Sequence, residues 1–462
     1  MSNSDNLLQR IAEAQAQLDA GFSHLPPAPL PELGPEAAAI LHAAATRMHD
    51  NYPYAHPLYA GQMLKPPHPI ARAAYAMAMS VNPNNHALDG GRASSSMELE
   101  AVAELAKMFG YPQHLGHLSS SGTFANLEAL WVSGQLLPGR GIAASDQAHY
   151  THTRIGSVLG LPFTEIPSDA TGRMDLAALE AALQTQNIGT VVATLGTTAV
   201  GAVDPLDQIL LLQQKYGFRI HVDSAYGGYF TLAPNLASAA RAAYDAIPYA
   251  DSIVVDPHKH GLQPYGCGAV LFRDPSVGRL YKHDSPFTYF SSKDLHLGEI
   301  SLECSRAGAS AVALWATQQL FPYTRDGEFA HNLGRSRQAA LALSQRLASD
   351  QRFVVPISPP QLDIVFWAVT APSAEKSSEL ARTIFAEAAK CDLHLALATL
   401  PTRYFPADTW PGNSSTNSID SVTCLRSVLM KPEHLDWLDQ IWSRINQAAN
   451  SAVPVNTSFT SL

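Results

Sequence analysis

Asp251-Ser-Ile-Val-Val-Asp-Pro-His-Lys-His-Gly261 decides how the rest of this chain is read. Ile253, Val254 and Val255 read as the end of a buried strand, and Pro257 stops it. Lys259 follows at once, between His258 and His260. A lysine at the mouth of a buried strand needs a partner or a task, because desolvating an ammonium is costly. One task that fits is a Schiff base with an aldehyde cofactor. The alternative is a surface lysine that merely follows a strand.

Working outward, short apolar runs alternate with helical segments. The runs are Ile142–Ala144, Val191–Leu195, Phe218–Val222, Ile253–Val255 and Ala269–Phe272. Helical spacing is found at about 98–109, 124–134, 176–184 and 206–216. Strands alternating with helices predict a mostly parallel sheet covered on both faces, with ligands at the carboxyl ends of its strands. On the N-terminal side, residues 5–22 and 34–49 read as helices joined by a proline-rich linker, and residues 51–70 as loop. This arm, residues 1–95, has too little core to fold alone and is expected to pack on the main body or on a second subunit. A large domain is expected over 96–325. Beyond it, helices at about 330–349, 374–389 and 432–449 and apolar segments at 353–355, 364–369 and 422–429 predict a smaller α+β domain, residues 326–462.

Composition excludes several classes of function. The 462 residues are 46% hydrophobic and 15% charged, which is ordinary for a globular chain with a large core. Net charge is −10 with a pI near 6.0, and no long basic run occurs, so neither nucleic acid nor an anionic membrane is an expected partner. Cys267, Cys304, Cys391 and Cys424 are scattered, with no CxxC pair or disulfide framework, which suits the cytoplasm. No apolar run is long enough to span a bilayer, and the first residues do not resemble a signal peptide. Gly139-Arg-Gly-Ile-Ala-Ala144 mimics a dinucleotide fingerprint but precedes a strand, which argues against it. His258 and His260 lack further ligands nearby, so no metal site is expected.

Three more stretches bear chemistry. Asp223 closes the run Ile220-His-Val-Asp-Ser-Ala-Tyr-Gly-Gly228. A carboxylate there calls for a cationic partner, and a protonated pyridine nitrogen would be one; a helix or turn cap is the alternative. Ala225, two residues on, is small enough for a flat ring to lie against it. Ser119-Ser-Ser-Gly-Thr-Phe-Ala-Asn126 leads into a helix, and such a turn offers N–H groups to a phosphate, or simply caps the helix. His149, in Asp146-Gln-Ala-His149, is placed to stack on a ring or to be an ordinary loop histidine, and Thr197 and Thr198 add hydroxyls.

Taken together, these stretches describe a pyridoxal phosphate site, and the chain resembles the group II pyridoxal-dependent amino acid decarboxylases, the family of the aromatic amino acid and glutamate decarboxylases. His221-Val-Asp-Ser-Ala-Tyr226 is similar to that family's His-Val-Asp-Ala-Ala-Tyr, and Asp256-Pro-His-Lys259 to its Asn-Pro-His-Lys. Asp146-Gln-Ala-His149, Ala193-Thr-Leu-Gly-Thr-Thr198 and the Ser-Gly-Thr-x-Ala-Asn turn also match, and the resemblance covers about residues 50–430. It implies an α/β, fold-type I (aspartate aminotransferase-like) architecture with pyridoxal 5'-phosphate as cofactor. It also implies a homodimer with shared active sites.

Roles follow from the resemblance. Lys259 would hold the cofactor covalently, Asp223 would pair the pyridinium nitrogen, and His149 would stack on the ring. Gly122, Thr123 and His258 would meet the phosphate, and Thr198 would contact the ring region. Tyr289 falls where the family carries a loop tyrosine that returns a proton to the substrate after CO2 leaves. Arg426 resembles an arginine of the family's C-terminal domain. Gln62, in His56-Pro-Leu-Tyr-Ala-Gly-Gln62, falls where glutamate-type members place a glutamine near the substrate. The loop of Ser305 and Arg306 is a candidate for reaching the partner's site. His260 and Gly227-Gly228 depart from the aromatic-specific members, which carry Trp and Ala-Gly there, so the substrate side chain, aromatic or acidic, stays open. The implied reaction is decarboxylation of an L-amino acid to its amine and CO2. An aldehyde-forming oxidative deaminase, a carbon–carbon lyase or a catalytically silent cofactor-binding protein are the alternatives.

Overall fold

The apolar runs become the strands of one seven-stranded sheet in a computed structural model, which describes residues 3–27, 32–281, 300–411 and 420–452. Four helices come first: α1 (Asn3–Ala20), α2 (Ala37–Met48), α3 (Pro69–Met79) and α4 (Arg92–Phe109). The alternating part follows as β1 (Leu115–Ser119), α5 (Gly122–Leu136), β2 (Gly141–Ser145), α6 (Thr151–Leu159), β3 (Phe163–Ile166) and α7 (Leu176–Thr185). It continues with β4 (Ile188–Thr194), α8 (Leu206–Tyr216), β5 (Arg219–Asp223), α9 (Ser238–Asp245), β6 (Ser252–Val255) and β7 (Gly268–Phe272). The strand order is β1-β7-β6-β5-β4-β2-β3, and only the pairings of β7 with β1 and with β6 are antiparallel.

β4 shows why the sequence specifies a covered sheet. All seven of its residues are buried. Val191 and Ala193 join a core with Leu179, Leu206 and Ile209 on one face, while Val192 joins Leu130 and Ile155 on the other. A strand buried on both sides is apolar without alternation. The parallel strands therefore all release their carboxyl ends along one edge.

A long helix, α11 (Glu328–Ala348), follows α10 (Gly308–Leu320) and leads to a second sheet. That sheet is built from β8 (Phe353–Val354), β9 (Ile364–Val369), β10 (Ala396–Pro401) and β11 (Ser421–Val428), in the antiparallel order β10-β11-β9-β8. α12 (Ala374–Lys390) and α13 (Leu438–Ala452) cover it, with Ile384 and Ile441 packed in the cluster of Trp367. α11 joins the two cores: Phe329 and Leu333 belong to the first, Leu343 and Leu347 to the second.

The N-terminal segment is divided between these bodies. α3 packs on α10 through Ala71, Ala74 and Val312. Residues 58–60 lie along the second sheet: the Ala60 amide donates to the His394 carbonyl at 2.9 Å, and the Val428 amide to the Ala60 carbonyl at 2.8 Å. α2 buries none of its residues, and Ile40, Leu41 and Met48 stand exposed. Among the described residues no helix is long and apolar enough to cross a membrane.

Several elements differ from the sequence expectation. α4 begins at Arg92 instead of near Glu98, because Ser94 and Ser95 are buried along with its apolar face. β1, β3 and β10 are additional strands. β1 has only Leu115 and Leu118 as large apolar residues, with His117 buried between them.

Candidate active site

Five chain segments leave the sheet at its carboxyl edge, and each delivers side chains to one cavity of about 180 Å³. After β1 come Ser121, Gly122 and Thr123; after β2, His149; after β4, Gly196 and Thr198. β5 ends on Asp223 with Ala225 behind it, and β6 leads to Asp256, His258 and Lys259. Gly122, Thr123, His149, Thr198, Asp223, Ala225, His258 and Lys259, the residues singled out from the sequence for the cofactor, thus line a single space.

Lys259 sits in the connection between the antiparallel neighbours β6 and β7. The base of that connection is closed by the His258 amide donating to the Cys267 carbonyl at 3.1 Å and by His258 Nδ1 at 2.7 Å from the same oxygen. Burial pushes the His258 pKa down. Lys259 Nζ lies 2.9 Å from Asp256 Oδ2, so the lysine has the partner that its position demands. Asp256 is buried, and its other oxygen, Oδ1, has no hydrogen-bond partner among the described residues. A Cβ at Gly122 would come within 2.7 Å of both Asp256 oxygens, so a larger residue there would have to displace the carboxylate that Lys259 pairs with. Ser121 caps α5, its side chain accepting from the Phe124 amide at 3.3 Å, and directs the helix N-terminus at the cavity.

Asp223 is buried and doubly held. Its Oδ1 accepts from the Ala225 amide at 3.1 Å, and its Oδ2 lies 2.8 Å from His152 Nε2. Burial opposes its charge, but the hydrogen bond from His152 and that from the Ala225 amide outweigh it and keep the carboxyl well below the ordinary carboxylate range. His149 Nδ1 lies 2.9 Å from Thr151 Oγ1, and burial lowers its pKa. Beneath Asp223, His221 bridges Asn126 Oδ1 at 2.7 Å and Ser252 Oγ at 2.9 Å; burial pushes its pKa down to about 3.

A second cleft of about 400 Å³ adjoins the first and shares His149 and Thr198 with it. Gln62 and Arg426 meet there at 3.2 Å. Arg426, on β11, also donates from Nε to the Ala199 carbonyl at 3.0 Å and from Nη2 to the Thr198 carbonyl at 2.6 Å. Much of the remaining lining is small or aliphatic (Ala148, Ala199, Leu397, Ala398 and Leu400), with Tyr150, Asp146, Gln147 and Thr399 beside it. Tyr289 lies outside the described residues. Arg306 is turned into its own chain, where its guanidinium pairs with the buried Glu98 and donates to the Leu118 carbonyl.

Three residues escaped the sequence reading. His152 lies three positions beyond His149, a spacing that brings both rings to one side of a helix start. Tyr226 lines the cofactor-sized cavity and donates to Asp363 Oδ1 at 2.6 Å. Asp363 Oδ2 in turn lies 3.2 Å from His260 Nε2, so the His260 noted as a departure is a buried partner of Asp363, edge-on to Tyr226 and Phe230. Nothing local in the sequence marks Asp363.

The donor set fits the cofactor that the resemblance implies. An amine stands at the floor of the cavity and an anionic carboxylate at one wall. A glycine-bearing helix start opens onto it.

Comparisons with known proteins bear on the family and the fold. A family model described as the pyridoxal-dependent decarboxylase conserved domain matches residues 48–369. The L-tyrosine decarboxylase of Levilactobacillus brevis is 29% identical over a match that covers 56% of this chain and 57% of that protein, so the chain spans little more than half of it. A probable L-tyrosine/L-aspartate decarboxylase of Methanocella arvoryzae is 30% identical, covering 55% of this chain and 65% of that one. Among solved structures, Oryza sativa TDC with PLP and tryptamine superposes with a TM-score of 0.77 at 18% identity, covering 97% of this chain and 99% of that chain. At that identity the likeness shows the fold.

Proposed function

The chain belongs to the pyridoxal-dependent decarboxylase family, and from that premise we propose that it removes the carboxyl group of an L-amino acid as CO2 and leaves the amine. The observation that carries this is the convergence of Lys259, Asp223, His149 and the α5 N-terminus on one cavity. The chemistry that pyridoxal 5'-phosphate supplies when bound is withdrawal of the electron pair left on the α carbon as CO2 departs.

The chain's own residues do the rest. Lys259 is the covalent tether, and Asp256 holds its ammonium at 2.9 Å at the cavity floor. Asp223 keeps a negative charge that would pair with the protonated ring nitrogen, an electrostatic arrangement in place before reaction. His149 and Ala225 both line the cavity, where they would bound the ring. Gly122, Thr123 and His258 would receive the phosphate, helped by the amides at the N-terminus of α5. Thr198 borders both the cofactor space and the cleft.

The substrate side chain extends into the 400 Å³ cleft, with Gln62 and Arg426 at its polar end. The alanine and leucine wall favours an aromatic side chain, and the unspent donors of Arg426 favour an acidic one; both belong in the test. We further propose a homodimer, supported by the unpartnered face of α2, and a cytoplasmic setting, supported by four cysteines without a disulfide among them. Purified protein with pyridoxal phosphate, given aromatic, acidic and basic L-amino acids separately, should yield an amine from one class by mass spectrometry, with one CO2 per substrate consumed. Aldehyde and ammonia would instead identify an oxidative deaminase. No product from any member would count against the proposal.

A further inference from the structure

His152 stands behind Asp223 and does not itself line the cavity. It occupies the first turn of α6, its side chain has no solvent exposure, and its Nε2 lies 2.8 Å from Asp223 Oδ2. Its other ring nitrogen, Nδ1, has no hydrogen-bond partner among the described residues. A neutral imidazole carries one N–H. With a carboxylate at Nε2 and no acceptor at Nδ1, that hydrogen belongs on Nε2. His152 therefore donates a charge-assisted hydrogen bond to Asp223.

We propose that His152 is a positioning residue that orients and ionises Asp223 for the ring nitrogen of the cofactor. The inference rests on the reading in which Asp223 meets that nitrogen. A carboxylate offers about four lone-pair directions. The Ala225 amide takes one on Oδ1 and His152 takes one on Oδ2, which stops the carboxylate from rotating. The remaining lone pairs are left for a cation on the cavity side. Without His152, burial favours the neutral carboxyl, which cannot hold a protonated ring. The two histidines at the start of α6 thus divide the work. His149 faces the cavity, and His152, three residues on, braces the carboxylate from behind.

The test uses the full chain, stripped of cofactor, and two probes: pyridoxal phosphate and its deaza analogue, which carries carbon in place of the ring nitrogen. Dissociation constants for both are measured by fluorescence in wild type, His152→Leu and His152→Gln, with circular dichroism to verify folding. Wild type should prefer pyridoxal phosphate over the analogue. His152→Leu should cut that preference about tenfold, chiefly by weakening pyridoxal phosphate, and His152→Gln, which keeps an N–H donor, should restore part of it. A residue that only fills space would weaken both probes alike and leave the preference unchanged, and that result overturns the inference. If His152→Leu does not fold, His152→Asn, whose shorter amide falls short of Oδ2, is read by the same criterion. A wild type with no preference would instead sink the assignment of Asp223, and the inference with it.

Discussion

Arg426 Nη2 donates to the Thr198 carbonyl across 2.6 Å, so a side chain of the second sheet grips the loop that follows β4 of the first. The same guanidinium reaches Ala199 and Gln62. Arg426→Lys keeps the charge but loses the planar fork. It should raise KM about tenfold or more with a smaller effect on kcat, because the fork orders the cleft proposed above to take the substrate side chain. Steady-state kinetics on the accepted amino acid check this, and a fall in kcat with KM unmoved would contradict it.

Lys259→Ala removes the only amine among the described residues that line the cavity. Borohydride reduction in the presence of pyridoxal phosphate should add the cofactor's mass to the wild-type peptide containing Lys259 and to no peptide of the variant. Turnover should fall roughly 10³-fold or more. Retained labelling elsewhere in the variant would move the tether to another lysine.

Asp223→Asn replaces the anion with an amide of the same size. Loss of one preorganised electrostatic group typically costs about 10²–10³ in rate. The variant should therefore fold, bind cofactor weakly and show kcat reduced by about that factor. Wild-type kcat in a folded variant would remove Asp223 from the chemistry.

His221 gives a pH prediction. Its pKa is about 3 in the folded chain, against an ordinary value near 6.5. Between those values the unfolded chain binds a proton that the folded chain refuses, so stability rises with pH across the window. Its contribution is complete above about pH 6.5 and is lost as pH falls toward 3, at up to about 1.4 kcal/mol per pH unit. His221→Gln should flatten the urea-derived stability profile between pH 4 and 6 by about one proton. An unchanged slope would place the acid sensitivity elsewhere.

Glu98 gives a stability prediction without pH. It is buried, accepts from Asn85 Nδ2 at 2.6 Å and from the Leu118 amide at 2.9 Å, and pairs with Arg306. Glu98→Ala leaves a buried guanidinium unpaired and should cost about 3–5 kcal/mol in denaturant melts. A loss under 1 kcal/mol would show that water replaces the carboxylate.

What the sequence made legible follows from how local each signal was. Strands buried on both faces, such as Val191–Thr194, announce themselves as apolar runs. β1 does not, because its interior position is held by His117, whose Nε2 lies 2.9 Å from Glu128 deep in the core. The site was legible at Lys259, Asp223, His149 and Gly122, since each occupies a strand end or helix start within a short recognisable string. His152, Tyr226 and Asp363 were not, because their partners lie 71 and 137 residues away along the chain and only the fold brings them together. Gln62 and Arg426 carried no mutual signal in sequence, being 364 residues apart, yet they touch.

The connection that carries Lys259 is clamped at its base by His258 and Cys267 and flanked by two paired strands. Its amine therefore hangs on its own methylene chain from an anchored backbone. Whatever displaces that amine cannot send it far: four torsions define its whole excursion, and it stays at a high effective concentration beside the place it left. In the proposed role of Lys259, recapture after each turnover then needs no main-chain movement in this part of the protein, only the swing of one side chain.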